Sequence, residues 1–140
     1  MIILDTNIVS EMGRTTPHVN VIAWFHRQQK QELYSCSVVV MEQIYGAEKI
    51  RLRTGSPRYF RVIEGLMTDL FRDRIAQYDI ASATLSGEIR ARREAKGRPI
   101  SVQDAMIAAI CLVNDATLAT RNTKDFQGLD LRLVNPFEGG

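Results

Sequence analysis

The sequence predicts a three-layer α/β sandwich built on a five-stranded, mostly parallel sheet. Three observations carry this expectation. Five short apolar runs recur along the chain, helically patterned segments lie between most of them, and no linker, repeat or low-complexity stretch divides the 140 residues. Strands that alternate with helices need helices on both faces of the sheet. At this length a single domain, 1–140, is expected on a prior of roughly 100–200 residues per domain.

The elements follow in order. Ile2-Ile3-Leu4 reads as a buried strand ending in the turn and cap chemistry of Asp5-Thr6-Asn7. Pro17 opens a helix with Val19, Ile22, Ala23 and Phe25 on roughly one side, and Leu33 to Cys36 is the second strand. Ser37 caps a helix running through Glu42 and Gly46 towards Leu52. Thr54-Gly55-Ser56-Pro57 breaks it, and Pro57 suits the first turn of the next helix, expected over 58–73. Ile75 to Tyr78 is a third strand, with Asp79 capping a helix to Lys96. After the break at Gly97-Arg98-Pro99, Ser101-x-x-Asp104 forms a capping-box pattern before an apolar helix from Ala105 to Val113. Thr117 to Thr120 and Leu131 to Val134 complete the strands.

Composition excludes several classes. With 45% hydrophobic and 24% charged residues the chain has the mix of a globular protein. Its longest apolar run, nine residues from Ala105 to Val113, falls far short of the ~18 needed to span a bilayer. The first residues lack the basic segment of a signal peptide. Cys36 and Cys111 both lie in apolar segments, which argues against a disulfide scaffold, and His18 and His26 lack the spacing of a zinc site. A reduced, cytoplasmic protein with no membrane association is expected.

In a parallel α/β sheet, ligands bind outside the carboxyl ends of the strands. Asp5 directly follows strand one, Glu42 lies on the second turn of the helix leaving strand two, and Asn122 and Asp125 follow strand four. Asp104 starts the helix that feeds strand four, so four carboxylates could converge at one edge. Each has a plainer reading. Asp5 also suits a helix N-cap, Asp104 the far half of the Ser101 capping box, and Asp125 an Asx-turn. Glu42 is flanked by Val38, Val39, Val40, Met41 and Ile44, so its helix is expected to leave little face for water, and a Glu there is costly without a partner. Gly46, at i+4, leaves room above the carboxylate. Asp104 leads a helix apolar nearly all round, the mark of a buried one.

Converging carboxylates cannot remain bare. At ~4 Å and an effective dielectric near 20, each pair repels by about 4 kcal/mol. Protons or a divalent cation must offset this, and oxygen ligands without His or Cys favour Mg²⁺ or Mn²⁺ over zinc. Such a cation acidifies water and neutralises charge on a phosphate oxygen, the core of metal-dependent phosphodiester cleavage.

Leu4-Asp5-Thr6-Asn7, Ser37-x4-Glu42-x3-Gly46, Ser101-x2-Asp104-x2-Ile107-x-Ala109 and Ala119-Thr120-Arg121-Asn122-x2-Asp125-Phe126 resemble, in order and spacing, the PIN-domain nucleases. Within that family the chain is most similar to VapC-type toxins, particularly the FitB-like subgroup, which Val134-Asn135-Pro136-Phe137 also resembles. The resemblance implies a five-stranded α/β/α fold and a Mg²⁺- or Mn²⁺-dependent endoribonuclease, with tRNA as the family-level substrate. It implies a toxin homodimer, in some cases within a larger assembly, inhibited by a cognate VapB-type antitoxin through which alone it meets DNA. Asp5, Glu42 and Asp104 match the three metal-binding acids. Some relatives carry the fourth acid where this chain has Asn122, and others place it at the Asp125 position. Asp125 is assigned here, with Asn122 as a polar helper. Thr6, Asn7, Ser37 and Thr120 match small polar positions that would orient the carboxylates or water.

Two other classes compete. A phosphoaspartate phosphohydrolase would need Asp-x-Asp, where this chain has Asp5-x-Asn7, and a receiver domain would need an acid pair before Asp5. A non-catalytic PIN-fold partner that binds nucleic acid would not need the full acid set.

The formal net charge of +2 conceals an asymmetry. Residues 1–48 and 99–140 each carry 3 basic and 5 acidic groups, whereas 49–98 carries 12 basic and 6 acidic. Arg51, Arg53, Arg90, Arg93 and Arg98 are candidate RNA contacts on this ground, though a solvated helical face reads equally well for either basic cluster, and Arg121, outside that segment, is a further candidate. An anionic pocket within a cationic surround suits a polyanionic substrate.

Overall fold

Ile3 and Leu4 are neighbours in β1 (Ile2–Leu4) and both are fully buried. Successive strand residues face opposite sides, so both faces of this strand are covered. The same holds for Leu118 and Ala119 in β4 (Thr117–Ala119). The computed structural model describes residues 1–139. It contains a five-stranded sheet in the order β3-β2-β1-β4-β5, parallel at every pairing, with β2 at Leu33–Cys36, β3 at Ile75–Ala76 and β5 at Leu133–Val134.

Six helices connect these strands: α1 (Thr6–Met12), α2 (Val19–Arg27), α3 (Ser37–Thr54), α4 (Arg58–Gly65), α5 (Ile80–Ala95) and α6 (Val102–Val113). Asp79 caps α5 through the Ser82 N–H, and Ser101 caps α6 through the Asp104 N–H. Gly55 ends α3 at φ +78°, a left-handed conformation that glycine adopts without steric cost. Helix α6 is the most apolar of these helices, with Ala105 and Ile107 to Cys111 all buried. Each fully buried Ile or Leu of this core stabilises the fold by about 1.5–3 kcal/mol relative to exposure.

The expected helix over 58–73 divides in two. α4 stops at Gly65, and Leu66–Phe71 continues with wider π-type turns that carry Phe71 into the core. The expected strands at 75–78 and 131–134 are shorter than anticipated: each lies at a sheet edge and pairs with its single neighbour over only two residues. Among the described residues no helix is long and apolar enough to cross a membrane. Cys36 and Cys111 are buried free thiols.

The topology positions the site. The chain leaves β1 for β2 on one side, while β3 returns across the sheet to β4 on the other. The winding therefore reverses between β1 and β4, the place where open α/β sheets form a crevice.

Candidate active site

Asp5 and Thr120 stand at this reversal, one residue beyond β1 and β4. The ladder continues through them: the Asp5 N–H donates to the Ala119 carbonyl at 2.9 Å, and the Thr120 N–H to the Val134 carbonyl at 2.9 Å. The Asp5 carboxylate is nearly buried, at 5% exposure. Its Oδ1 accepts the Thr6 N–H at 2.8 Å, which caps α1, and its Oδ2 accepts the Thr120 hydroxyl at 2.8 Å. The cap and the site residue are thus one side chain using different oxygens. Thr120 in turn accepts from the Asn122 N–H at 3.1 Å and Asn7 Nδ2 at 3.4 Å, while Asn7 Oδ1 accepts the Arg121 N–H at 3.0 Å. Thr6, Asn7, Thr120 and the main chain of Asn122 therefore form one polar web around Asp5.

Glu42 joins from α3. The Thr6 hydroxyl donates to its Oε1 at 2.6 Å. The neighbouring Gln43, absent from the sequence-based candidates, sets this contact: its Nε2 donates to the Thr6 carbonyl at 3.1 Å and to Ser10 Oγ at 3.0 Å, pinning α3 to α1. The environment differs from expectation. Glu42 is half-buried, and Met41, Ile44 and Tyr45 are exposed, so α3 shows an apolar face to solvent rather than being enclosed. Apolar neighbours in sequence do not ensure burial, since much of any protein surface is apolar.

Asp104 lies half-buried on the first turn of α6. The Ser101 cap uses its backbone N–H, at 3.1 Å, so the cap rests on main chain while the carboxyl feels the other acids. Asp125 sits exposed on a 3-10 turn, Thr123–Phe126, anchored by buried Phe126. Burial pushes the Asp5 carboxyl above its ordinary range; the Thr120 and Thr6 hydrogen bonds oppose this, and repulsion from Glu42 and Asp125 adds to it. Burial likewise raises Asp104, with repulsion from Asp5 and Asp125, against the Ser101 hydroxyl. Asp5 thus feels Glu42 and Asp125, and Asp104 feels Asp5 and Asp125. Among the described residues, no three His, Cys, Asp or Glu groups stand close enough together to hold one ion as placed.

The donor chemistry suits a hard cation. The candidate groups offer carboxylate and hydroxyl oxygen, and burial, with repulsion from neighbouring acids, raises the carboxyls of Asp5 and Asp104, which a bound cation would offset. Cys36 lies near Asp5 and Glu42, and burial pushes its thiol up to about 11, so it is protonated at neutral pH in the free protein.

A cleft of about 570 Å³ between α1, α3 and α4 opens beside the acids, lined by Thr6, Glu42, Gly46, Arg14, Arg58 and Tyr59 among others. It touches the acid cluster at Thr6 and Glu42 only. A Cβ at Gly46 would meet nothing within 4 Å, as its expected clearance requires.

Among the described residues, the side chains of the remaining candidates make no hydrogen bond or ion pair with the four acids. Ser37 does not cap α3 as expected: Cys36 holds the N-cap position, and the Ser37 hydroxyl instead accepts the Tyr78 N–H at 3.0 Å, tying the start of α3 to the exit of β3. Arg51 pairs with Glu48, Arg90 with Glu94 at 3.9 Å, and Arg93 Nε donates to the Arg98 carbonyl at 2.7 Å. Arg53 and Arg98 are exposed at the ends of α3 and α5. Arg121 lies over the Phe137 ring, a contact between distant segments that nothing in the local sequence signals.

The profile of the PIN domain family matches residues 2–130. A tRNA(fMet)-specific endonuclease VapC of Shigella flexneri is 37% identical, covering 89% of this chain and 88% of its own. Toxin FitB of Neisseria gonorrhoeae is 30% identical over 98% of this chain and 99% of its own. Among solved structures, DNA-bound VapBC from Salmonella typhimurium superposes with a TM-score of 0.82 at 28% identity, covering 96% of this chain and 97% of that one.

Proposed function

This chain belongs to the PIN domain family, and on that premise we propose that it is the toxin of a VapBC-type toxin–antitoxin pair, a single-domain endoribonuclease that hydrolyses RNA phosphodiester bonds. The observation that carries the reading is the PIN family match together with buried Asp5 at the sheet's reversal point, linked through Thr6 to Glu42.

Asp5, Glu42, Asp104 and Asp125 would hold Mg²⁺ or Mn²⁺. When bound, the cation neutralises charge on a phosphate oxygen and acidifies a water. The chain's own residues prepare the place. Thr120 and the Thr6 N–H fix both oxygens of Asp5, Thr6 fixes Glu42, and Gln43 fixes Thr6. Such outer contacts hold carboxylates in a set orientation, and here they favour the ionised form of Asp5 against its burial. Asn7 and Asn122 complete the web, and Ser37 holds the origin of α3. Arg51, Arg53, Arg90, Arg93, Arg98 and Arg121 supply cationic surface for the RNA backbone. The products are a 5′-phosphate and a 3′-hydroxyl.

The partner is a VapB-type antitoxin, and contact with promoter DNA runs through it, consistent with the DNA-bound complex among the structural relatives. The toxin acts in the cytoplasm as a homodimer, and the Shigella flexneri relative supports tRNA as the substrate class. Mapping RNA ends after induced expression, with and without the neighbouring antitoxin reading frame, tests this. Discrete new 5′-phosphate ends that vanish on antitoxin co-expression are expected; an unchanged profile of RNA ends contradicts the reading.

A further inference from the structure

We propose that Phe137 is a positioning residue whose ring holds the Arg121 guanidinium as a phosphate handle beside the acid site. The proposal rests on the ribonuclease reading and specifies how the strand is gripped.

Arg121 Cζ lies 4.3 Å from the centroid of the Phe137 ring. A guanidinium over an aromatic face is attracted through its flat surface, which leaves the in-plane N–H donors available. Arg14, Arg51, Arg90, Arg92 and Arg132 pair with carboxylates, whereas among the described residues Arg121, like the remaining arginines, has no carboxylate within 4.0 Å; what sets it apart is the aromatic ring beneath it. It is therefore an oriented cation whose charge is not already neutralised by an ion pair. The planar fork of Arg matches two phosphate oxygens.

The ring is itself fixed. His18 meets it edge-on, with centroids 5.4 Å apart and planes at 63°. Asn20 Nδ2 donates to the Phe137 carbonyl at 2.8 Å, and the Phe137 N–H donates to Asn135 Oδ1 at 2.9 Å. The Arg121 main chain is tied to the acids through Asn7 and Thr120, which reach Asp5 by successive hydrogen bonds. The C-terminal segment thus sets the Arg121 side chain, and the web around Asp5 sets its backbone.

Binding of a fluorescent single-stranded RNA is measured by anisotropy in the cleavage-silent Asp104→Asn background with Mg²⁺. Arg121→Gln should weaken binding about 10-fold and reduce the slope of log K against log salt by about 0.7, the value for one phosphate contact on a single strand. Phe137→Leu should weaken binding in the same sense, Phe137→Tyr should restore it, and Phe137→Leu should add nothing to Arg121→Gln. Pentafluorophenylalanine in place of Phe137 keeps the ring shape but removes its negative face, and should reproduce the Leu effect without a loss of melting temperature. In the cleaving protein, Phe137→Leu should raise KM and leave kcat unchanged. Wild-type binding and salt slope in the pentafluoro protein would overturn the proposal alone, as would an undiminished effect of Phe137→Leu when combined with Arg121→Gln. No RNA binding by the parent protein would overturn the ribonuclease reading and the proposal with it.

Discussion

The hydroxyl of Thr120 donates to Oδ2 of Asp5 at 2.8 Å, joining residues 115 apart where the winding of the sheet reverses. Thr120 is fully buried and also accepts from Asn7 and Asn122. Thr120→Val keeps the shape but leaves these groups unpaired, at a cost of about 1–3 kcal/mol in denaturant unfolding. RNA cleavage should fall about 10–100-fold, as for other groups that orient metal-binding side chains. Thr120→Ser should recover most of both.

The raised carboxyls of Asp5 and Asp104 give a pH dependence with a definite sign. Burial comes first for both, and neighbouring acids add to it. In the unfolded chain these groups ionise near the ordinary value of about 4, so above it the folded protein holds more protons. Their contribution to stability is complete below that value and is lost as pH rises through the raised ones. The metal-free protein should therefore melt at a lower temperature at neutral pH than this site alone would allow under mild acid. Asp104→Asn should raise the metal-free melting temperature at neutral pH, with a gain that shrinks towards pH 4. A gain independent of pH would contradict the assignment.

Cation binding should act on the same balance. Mg²⁺ at 100 times its Kd should stabilise the folded chain by about 2.7 kcal/mol at neutral pH. The shift in melting temperature should be lost in Asp5→Asn or Asp104→Asn, as read in a thermal scan with EDTA as control.

Gly46 offers a test of the clearance beside Glu42. It lies exposed within α3, and an added methyl meets nothing within 4 Å. Gly46→Ala should stabilise the helix by up to ~1 kcal/mol in chemical denaturation, with cleavage retained. A destabilised Ala variant would show that the space is in use.

What could be read in the sequence was what local chemistry decides. β2 begins at Leu33 and ends at Cys36 as expected, and Asp79 and Ser101 cap their helices, because strand runs and caps depend on near neighbours. The alternation of strands and helices sufficed for the layered parallel sheet. The parts that escaped depend on distant residues. Gln43 matters through Thr6 and Ser10, and Phe137 through Arg121, His18 and Asn20; none of these pairings leaves a periodic trace. The surroundings of Glu42 were misjudged because Met41, Ile44 and Tyr45 turn outward. Asp5 shows why single-residue readings competed: its helix cap and its place among the acids are both real, on different oxygens.

The most direct measurement compares Mg²⁺-dependent RNA cleavage by purified wild-type and Asp104→Asn protein of equal circular dichroism. Loss of at least ~100-fold is expected, since removing a metal-binding carboxylate should cost no less than removing a group that merely orients one. Cleavage by the Asn variant at the wild-type rate, with the same Mg²⁺ dependence, would contradict the account.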